Sequence, residues 1–219
     1  MAREPFTVEF PHLLPAERDG DAWRLDTGGT PLRLTNLDKV FWPDEGYTKG
    51  DLLSWYFNVA HLMVPHLADR PLTMKRMPNG IAGDFFFEKQ APSHTPEWMG
   101  RCQVRSEESK GGVIDYLSVD DVAGLLFVAN LGCIEFHPLH SRCGSLETPD
   151  YLFFDLDPAD GATFEDVRVV ARHVHTALEG LGLESHPKTS GATGIQIYVP
   201  LEPRYSYAQV RGFVGRSAA

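Results

Sequence analysis

The chain has 219 residues, of which 42% are hydrophobic and 23% are charged, and its formal net charge is −10. This composition is typical of a folded globular protein and excludes a disordered, collagen-like or coiled-coil chain. The longest apolar runs are well short of the roughly 20 residues that a membrane span needs, and the N-terminus has no secretion-signal pattern. The three cysteines are few and odd in number, which favours a soluble protein of the reducing cytosol. The acidic net charge argues against a protein that coats nucleic acid generally.

The first half of the chain predicts short strands followed by two helices. Residues 1–35 carry Pro and Gly at intervals, which is typical of short strands and turns. Thr48 is placed to cap a helix whose apolar stripe ends at Pro65. Residues 70–90 predict strands joined by a Pro-Asn-Gly turn, and Ser118 is placed to begin a second, strongly apolar helix.

The second half alternates strand and helix more regularly. Residues 151–157 and 195–201 predict strands, and Thr163 and Ser206 predict the starts of two helices. Strand, helix and strand in this order predict an α/β or α+β layer fold with a mixed sheet. The first of these helices is expected to bury one apolar face formed by Phe164, Val167, Val170, Ala171, Val174 and Leu178.

Asp155 and Asp157 form the sharpest chemical feature of the sequence. Side chains two apart on a strand point to the same face, so both carboxylates are expected to project together, away from Leu156. A divalent cation relieves their mutual repulsion, and oxygen ligands favour Mg²⁺ or Mn²⁺ over zinc. The pair therefore predicts a metal site, while the plainer interpretation is a strand-end pair that meets solvent.

A polar loop of small residues from Ser190 to Gly194 leads into the last predicted strand. Small residues let backbone N–H groups approach phosphate oxygens, and the hydroxyls of Ser190 and Thr193 can add donors. The alternation of the strand leaves Gln196 on the face toward this loop. The loop predicts a phosphate site, although an ordinary glycine-containing turn between strands explains it as well.

Three consecutive phenylalanines, Phe85 to Phe87, follow the basic pair Lys75-Arg76 and precede Lys89. They cannot all face one core from a strand, so at least one is expected to point outward. Exposed aromatic rings stack on single-stranded bases, and basic side chains beside them contact the phosphates. We therefore expect phosphate contacts from Arg76 and Lys89. A strand buried on both faces would suit three phenylalanines nearly as well.

Cys133, His137, His140 and Cys143 have a spacing that resembles a zinc ligand set. Cys133 also occupies a position suited to the core of an apolar segment, and short clusters of this kind often arise by chance. The sequence alone leaves zinc binding by these four residues open.

Short motifs between Leu34 and Leu201 occur in the order and spacing of one family. They cover residues 37–43, 48–49, 70–73, 75–80, 86–90, 135–137, 154–158 and 189–191. Together they resemble the bacterial primase-polymerase family, which includes the polymerase domain of ligase D and belongs to the archaeo-eukaryotic primase superfamily. The resemblance implies an α+β fold in which mixed or antiparallel sheets are flanked by helices.

The resemblance also implies a function and partners. The family consists of template-dependent nucleotidyltransferases that fill or extend DNA ends during double-strand-break joining, often with ribonucleotides. The implied partners are DNA ends with a 5′-phosphate, nucleoside triphosphates, a ligase and a Ku-type end-binding protein, in the bacterial cytoplasm at the nucleoid. Residues 36–219 are then expected to form the catalytic domain, with residues 1–35 as its N-terminal extension.

Carried over position by position, the resemblance gives each motif a role. Asp155 and Asp157 would be the catalytic residues that bind Mn²⁺ or Mg²⁺. The nucleotide would be held by Lys75, His137, Ser190, Thr193, Gly194 and Gln196. Template bases would stack on Phe86 and Phe87, with phosphate contacts from Arg76 and Lys89. A 5′-phosphate at the break would be held by Lys39 and Lys49.

Two positions depart from the family pattern. Gln196 stands where most relatives have histidine, and Thr193 stands where lysine is common, so weaker triphosphate binding is expected. The family's third metal-binding aspartate and its later triphosphate-binding arginines lie beyond the strand that ends near Leu201, and the 219 residues do not include them. We expect an N-terminal part of a longer catalytic domain that polymerises poorly by itself.

Two functions of other classes stay open beside the polymerase. One is a non-catalytic module that binds 5′-phosphorylated DNA ends, and the other is a metal-dependent phosphoesterase that uses Asp155 and Asp157. Nucleotide incorporation separates the polymerase from both. A preference for a 5′-phosphorylated recess separates the end-binding module from the phosphoesterase.

Overall fold

The computed structural model describes residues 14–107 and 109–217. The chain divides into two units, Met1–Leu139 and His140–Ala219, each with its own internal contacts. Both are built from strands and helices, which confirms the α+β class. All strand pairs of the described residues are antiparallel. The prediction of a sheet with both parallel and antiparallel pairs is therefore wrong, and antiparallel sheets are confirmed. The part of the predicted segment 1–35 before residue 14 lies outside the described residues.

The first unit contains ten strands and two helices among its described residues. In chain order they are β1 (Glu17–Asp19), β2 (Ala22–Asp26), β3 (Pro31–Thr35), β4 (Val40–Trp42), β5 (Tyr47–Thr48), α1 (Lys49–Leu67), β6 (Leu72–Arg76), β7 (Phe86–Glu88), β8 (Gly100–Arg105), β9 (Val113–Ser118), α2 (Val122–Asn130) and β10 (Cys133–Pro138). The largest sheet has the order β10-β6-β9-β8, and β7 pairs with β6. Strands β1, β2 and β3 form a second sheet, and β4 pairs with β5.

Helix α1 begins where the sequence predicts and ends later. The Thr48 side chain accepts a hydrogen bond from the Asp51 backbone, and the Asp51 carboxylate accepts one from the Thr48 backbone. This reciprocal cap satisfies two N–H groups that a helix start otherwise leaves open. The predicted end at Pro65 is wrong, because Pro65 lies in the last turn and α1 continues to Leu67. A proline so close to the end of a helix costs a single backbone hydrogen bond.

The start of helix α2 differs from the prediction. Ser118 is the last residue of β9, and its hydroxyl donates to Asp120 Oδ1 at 2.8 Å. Asp121 is the cap, since its carboxylate accepts the Gly124 backbone N–H at 2.7 Å. Both Ser and Asp cap helices well, so the sequence offered two starts three residues apart. All residues from 123 to 129 are buried, and α2 packs against α1 in the core of this unit.

The second unit places one main helix on a small sheet. Its described elements are β11 (Tyr151–Leu156), α3 (Phe164–Gly180), β12 (His186–Thr189), β13 (Ile195–Pro200) and α4 (Tyr207–Ser217). The sheet has the order β11-β13-β12. Thr163 and Asp166 cap α3 reciprocally, as Thr48 and Asp51 cap α1, and α4 begins directly after Ser206. The predicted strands and helix starts of this unit are therefore confirmed within one residue.

The buried face of α3 is narrower than predicted. Val167, Ala171 and Leu178 are buried, whereas Phe164 and Val170 are 44% and 48% exposed. At about 100° per residue, Phe164 lies roughly 40° to one side of the centre of the buried row and Val170 roughly 80° to the other. They flank the face that α3 buries, so including them in the core was wrong.

None of the described helices is both long enough and apolar enough to cross a membrane.

Candidate functional site

The predicted metal pair lies at one end of the sheet of the second unit. Asp155 is the fifth residue of β11 and faces Gln196 of β13 across the ladder, while Asp157 follows the strand directly. Both aspartates are exposed. Their carboxylate oxygens are suitable donors for Mg²⁺ or Mn²⁺. The described residues bring no group of three or more His, Cys, Asp or Glu side chains together, so the pair stands without a third protein ligand among them.

Gly194 brings the predicted phosphate loop against Asp157. A Cβ atom at position 194 would lie 2.5 Å from Asp157 Oδ1 and 2.7 Å from the Leu156 carbonyl oxygen. Only glycine permits this approach, because real Cβ atoms do not come so close to backbone. The metal pair and the loop, which the sequence presents as separate features, therefore meet in the structure.

Ser190 holds the loop closed. Its Oγ accepts the backbone N–H groups of Gly194 at 3.0 Å and of Ala192 at 3.3 Å, and its own N–H donates to the Gly194 carbonyl at 3.0 Å. Since the oxygen is used as an acceptor, the hydroxyl proton is the part that can donate to a ligand. Thr193 is exposed at the tip of the loop.

Gln196 lies on the open face of the sheet, as predicted. Ile195, Ile197 and Val199 are buried on the other face, and Gln196 and Tyr198 are half-buried. Burial raises the pKa of the Tyr198 hydroxyl, and the nearby negative charge of Asp155 adds to the effect. Since side chains alternate along the strand, Tyr198 lies on the same face as Gln196 and Asp155.

Two neighbours of Gln196 were missed by the sequence analysis. Lys188 Nζ and the Tyr198 hydroxyl each donate to Gln196 Oε1 at 3.1 Å. Lys188 faces Gln196 across the ladder between β12 and β13. The alternation of side chains along β12 would place Lys188 on the same face as Gln196 only if the register of β12 against β13 were known. The sequence does not reveal that register.

Two of the predicted nucleotide residues meet in the first unit. Lys75 Nζ lies 2.6 Å from Glu135 Oε1, and His137 Nε2 lies 3.5 Å from Glu135 Oε2. The two strands that carry them, β6 and β10, are paired, with Lys75 opposite Glu135 and Thr73 opposite His137. Glu135 thus bridges the two side chains, a role that the sequence analysis did not assign.

All three phenylalanines of the run 85–87 are exposed, by 55%, 45% and 57%. The prediction that at least one points outward is confirmed, and the strand buried on both faces is excluded. Lys75 Nζ lies 4.5 Å from the centre of the Phe85 ring, and the Arg76 guanidinium lies 5.2 Å from that of Phe86. Phe87 meets Phe85 and His137 edge to face.

The two side chains predicted to contact phosphate beside these rings, Arg76 and Lys89, differ in how firmly they are held. Arg76 is held by Glu88 at 2.7 Å and donates to the Leu131 carbonyl at 2.8 Å. Lys89 is exposed at the end of β7. Arg76 therefore has a fixed position, whereas the Lys89 ammonium lies at the surface.

Lys39 and Lys49 are brought next to each other by the pairing of β4 with β5. The Lys49 N–H donates to the Lys39 carbonyl at 2.8 Å. Lys39 Nζ donates to the Pro78 carbonyl at 2.7 Å and to Asn79 Oδ1 at 2.6 Å. The Lys49 side chain is only 4% exposed, and its Nζ donates to the Thr35 carbonyl at 2.7 Å and to Asn130 Oδ1 at 2.8 Å.

Lys49 is a buried cation with neutral partners. Burial lowers the pKa of its ammonium to about 8, and the positive charges of Lys39 and Arg76 add to this shift. Lys49 and Arg76 line a cavity of about 610 Å³, whose wall includes Trp98 and Phe127. None of its described lining residues is Asp or Glu, so the cavity suits an anion.

The residues of the predicted zinc set do not form a described ligand cluster. Cys133 is a free, buried thiol whose Sγ donates to the Glu135 carbonyl at 3.3 Å, and burial raises its pKa. His140 stacks on the Tyr151 ring at 4.6 Å. Among the described residues, no group of three or more potential metal ligands includes any of these four.

Comparison with known proteins places the chain among end-joining proteins. A sequence model described as "LigD, primase-polymerase domain" matches residues 48–219. The chain is 40% identical over 172 residues to the multifunctional non-homologous end joining protein LigD of Mycolicibacterium smegmatis, covering 78% of this chain and 22% of that protein. It is 30% identical over 183 residues to the bifunctional LigD of Bacillus subtilis, covering 83% of this chain and 29% of that protein.

A solved structure has the same fold. The polymerase domain of Mycobacterium tuberculosis ligase D, in complex with DNA, matches with a TM-score of 0.79 and 36% identity, covering 85% of this chain and 67% of that one. The chain thus spans about a quarter of the length of the curated relatives and two thirds of the solved domain.

Proposed function

Because the chain belongs to the LigD primase-polymerase domain family, we propose that it is a template-dependent nucleotidyltransferase module that acts on DNA ends in non-homologous end joining. The observation that carries the proposal is the contact of Gly194 with Asp157. It joins a carboxylate pair suited to a divalent cation to a loop suited to phosphate, and nucleotidyl transfer needs both together.

Asp155 and Asp157 would hold Mn²⁺ or Mg²⁺, which polarises the phosphate under attack when it is bound. The Ser190 hydroxyl donates to a phosphate oxygen while its Oγ keeps the loop closed. Gln196 donates from the open face of the sheet beside Asp155. In this assignment Ser190 and Gln196 orient the polyphosphate, while the two carboxylates would hold the metal ion.

The first unit supplies the groups for nucleic acid. We assign the exposed ring of Phe87, with Phe86, to the template bases, because aromatic faces stack on bases without sequence preference. Lys75 and His137, bridged by Glu135, are assigned to the incoming nucleotide. Lys49, with Lys39, is assigned to a 5′-phosphate, which would supply the anion that the buried ammonium lacks.

The relatives are named as multifunctional or bifunctional end-joining proteins, and the chain matches about a quarter of their length. We therefore propose that the module works beside a ligase activity and an end-binding protein of the Ku type. Ribonucleoside triphosphates are the proposed substrates, and they are distinguished from deoxyribonucleotides by parallel titrations of the two.

The test of the metal site is isothermal titration of a nucleoside triphosphate with Mn²⁺ present and absent. For Asp155→Asn and Asp157→Asn we expect loss of the Mn²⁺-dependent part of the affinity. We expect no fall in the midpoint of thermal unfolding, because both carboxylates are exposed and the changes relieve repulsion. Asp160→Asn removes the same charge from the following loop and is the matched control. Unchanged Mn²⁺-dependent binding in both site variants would overturn the assignment.

The same variants separate the other two classes. A metal-dependent phosphoesterase would release inorganic phosphate from a 5′-phosphorylated duplex and lose this with Asp155→Asn. A non-catalytic end-binding module would prefer 5′-phosphorylated ends and show no Mn²⁺-dependent nucleotide binding.

A further inference from the structure

One row of side chains crosses the open face of the sheet in the second unit. Asp155 on β11, Gln196 on β13 and Lys188 on β12 are directly opposite one another in the two ladders. Neighbouring strands lie about 4.8 Å apart, so the outer two positions are roughly 10 Å from each other. The row therefore has a carboxylate at one end, an amide in the middle and an ammonium at the other end.

The orientation of the Gln196 amide is fixed by its neighbours. Lys188 Nζ and the Tyr198 hydroxyl both donate to the same atom, Gln196 Oε1, at 3.1 Å each. An ammonium can only donate, so Lys188 requires the amide oxygen on its side, and the Tyr198 hydroxyl donates to the same oxygen. The oxygen is thereby turned toward Lys188 and Tyr198, and the NH₂ group is the part of Gln196 left to donate elsewhere.

The positive charge of Lys188 is uncompensated. Its described contacts are the Gln196 amide oxygen at 3.1 Å and the Thr189 carbonyl at 3.5 Å, which are both neutral. Lys188 forms no ion pair among the described residues, although the chain carries 30 acidic side chains against 20 basic ones. A side-chain amide and a backbone carbonyl thus position an ammonium that has no carboxylate partner among the described residues.

We propose that Lys188 is the positioning cation for the polyphosphate of the nucleotide, and that Tyr198 keeps Gln196 turned to donate between Lys188 and Asp155. The inference rests on the proposed function, because it takes the nucleotide to be the ligand of this face. The phosphates nearer to β11 lie by the carboxylate pair, and those nearer to β12 meet the ammonium. A nucleoside triphosphate spans the row, whereas a monophosphate is too short to use both ends.

The test compares nucleoside mono-, di- and triphosphates by equilibrium titration, with and without Mn²⁺, against wild type, Lys188→Met and Lys188→Arg. For Lys188→Met we expect about a tenfold loss of affinity for the triphosphate, from one charge-assisted contact. The loss is smaller for the diphosphate and absent for the monophosphate. Lys188→Arg restores most of the affinity.

Tyr198→Phe keeps the ring and removes one of the two donors to Gln196 Oε1. We expect it to lower triphosphate affinity by a few-fold, with no effect on the monophosphate. Arg172→Met removes an exposed positive charge from α3 of the same unit and is the matched control, with affinity unchanged for all three nucleotides.

Several results would overturn the role of Lys188. They are an unchanged triphosphate affinity in Lys188→Met, an equal loss for all three nucleotides, and an equal loss in Arg172→Met. Triphosphate binding that is lost with Asp155→Asn but kept with Lys188→Met would remove Lys188 and leave the proposed function standing. A phosphate-number-dependent loss in Lys188→Met, with no nucleotide addition under any condition, would support Lys188 and count against the polymerase. A wild type that binds no triphosphate would overturn both.

Discussion

Lys49 carries its ammonium inside the first unit, where its partners among the described residues are a backbone carbonyl and an asparagine amide. Buried charges in folded proteins are normally paired with an opposite charge, because desolvation is expensive. Here burial and the nearby cations Lys39 and Arg76 lower the pKa of Lys49 to about 8. A dianionic 5′-phosphate would be the missing opposite charge, and its binding would raise the pKa of Lys49 again.

This gives a pH-dependence with a definite sign. Free Lys49 loses its proton as the pH rises through about 8. We therefore predict that the preference for 5′-phosphorylated over 5′-hydroxyl DNA ends declines between pH 7 and pH 9. The phosphate itself is already dianionic there, because its second pKa is about 6. Fluorescence anisotropy with the two ends at each pH measures the ratio.

The control for this prediction is Lys49→Arg, which stays charged throughout the range. Its preference should be constant between pH 7 and pH 9, if somewhat weaker. A decline of the same size in Lys49→Arg would assign the pH-dependence to another group.

The loop 190–194 packs against the end of β11 at Gly194, where a side chain would not fit. For Gly194→Ala we predict that the loop is displaced from Asp157, since the new Cβ would meet the Leu156 carbonyl at 2.7 Å. Mn²⁺-dependent nucleotide affinity should fall at least tenfold in the titration, while the far-ultraviolet circular dichroism is unchanged.

Gly191→Ala separates this contact from backbone strain. Gly191 has a φ of +94° and open space around its Cβ position, so alanine there strains the loop without a clash. We expect a smaller effect on nucleotide affinity than in Gly194→Ala. Equal effects would show that loop strain, and not the approach to Asp157, controls the site.

The three phenylalanines at positions 85–87 differ in their neighbours. Cations lie over the rings of Phe85 and Phe86. Phe87 is 57% exposed, and its ring contacts within the described part of the chain are edge to face. We predict that Phe87→Leu weakens binding to a single-stranded template overhang by about 1–3 kcal/mol, the worth of one base stacked on an aromatic ring. Phe86→Leu should cost less, because Arg76 competes for its face.

Phe164→Leu is the control for β7, because Phe164 is also exposed but lies on α3. The measurement is the affinity for duplexes with and without an overhang. A loss that is equal on blunt duplexes would mean that Phe87 supports the fold and does not stack on the template.

Features that depend on residues close together in the sequence, such as helix caps, could be predicted. Contacts between residues that are distant in the sequence could not. The caps at Thr48 and Thr163 were predictable because both partners lie within three residues. Ser118 was chosen in place of Asp121 because both are good caps. Lys188 could not be found, because its partner Gln196 is fixed by strand register, which depends on packing rather than on the sequence nearby.

In the candidate site, too, short local patterns could be predicted from the sequence and contacts between distant residues could not. The carboxylate pair, the phosphate loop and the outward phenylalanines could be predicted, since each is a short pattern with its own chemistry. The contact of Gly194 with Asp157 and the bridge by Glu135 could not, because each joins residues that are distant in the sequence. The burial of Lys49 was equally hidden, since nothing local distinguishes it from an exposed lysine.

For the molecule as a whole, a net charge of −10 coexists with local anion sites. Charges farther apart than about 8–10 Å are largely screened at physiological salt, so the carboxylate-free cavity at Lys49 is not cancelled by the acidic surface. The metal pair has no third protein ligand among the described residues. We therefore expect nucleotide addition to be slow and strongly dependent on the metal concentration, because two carboxylates hold a second ion weakly.

The most direct measurement is single-nucleotide addition with protein in excess over a gapped, 5′-phosphorylated duplex, with Mn²⁺ and each ribonucleoside triphosphate against each template base. We predict slow addition of the complementary nucleotide only, and none with Asp155→Asn or Asp157→Asn. Asp160→Asn should behave as wild type. No addition at any metal concentration, addition that ignores the template base, or addition that persists in both site variants would contradict a template-dependent nucleotidyltransferase built on Asp155 and Asp157.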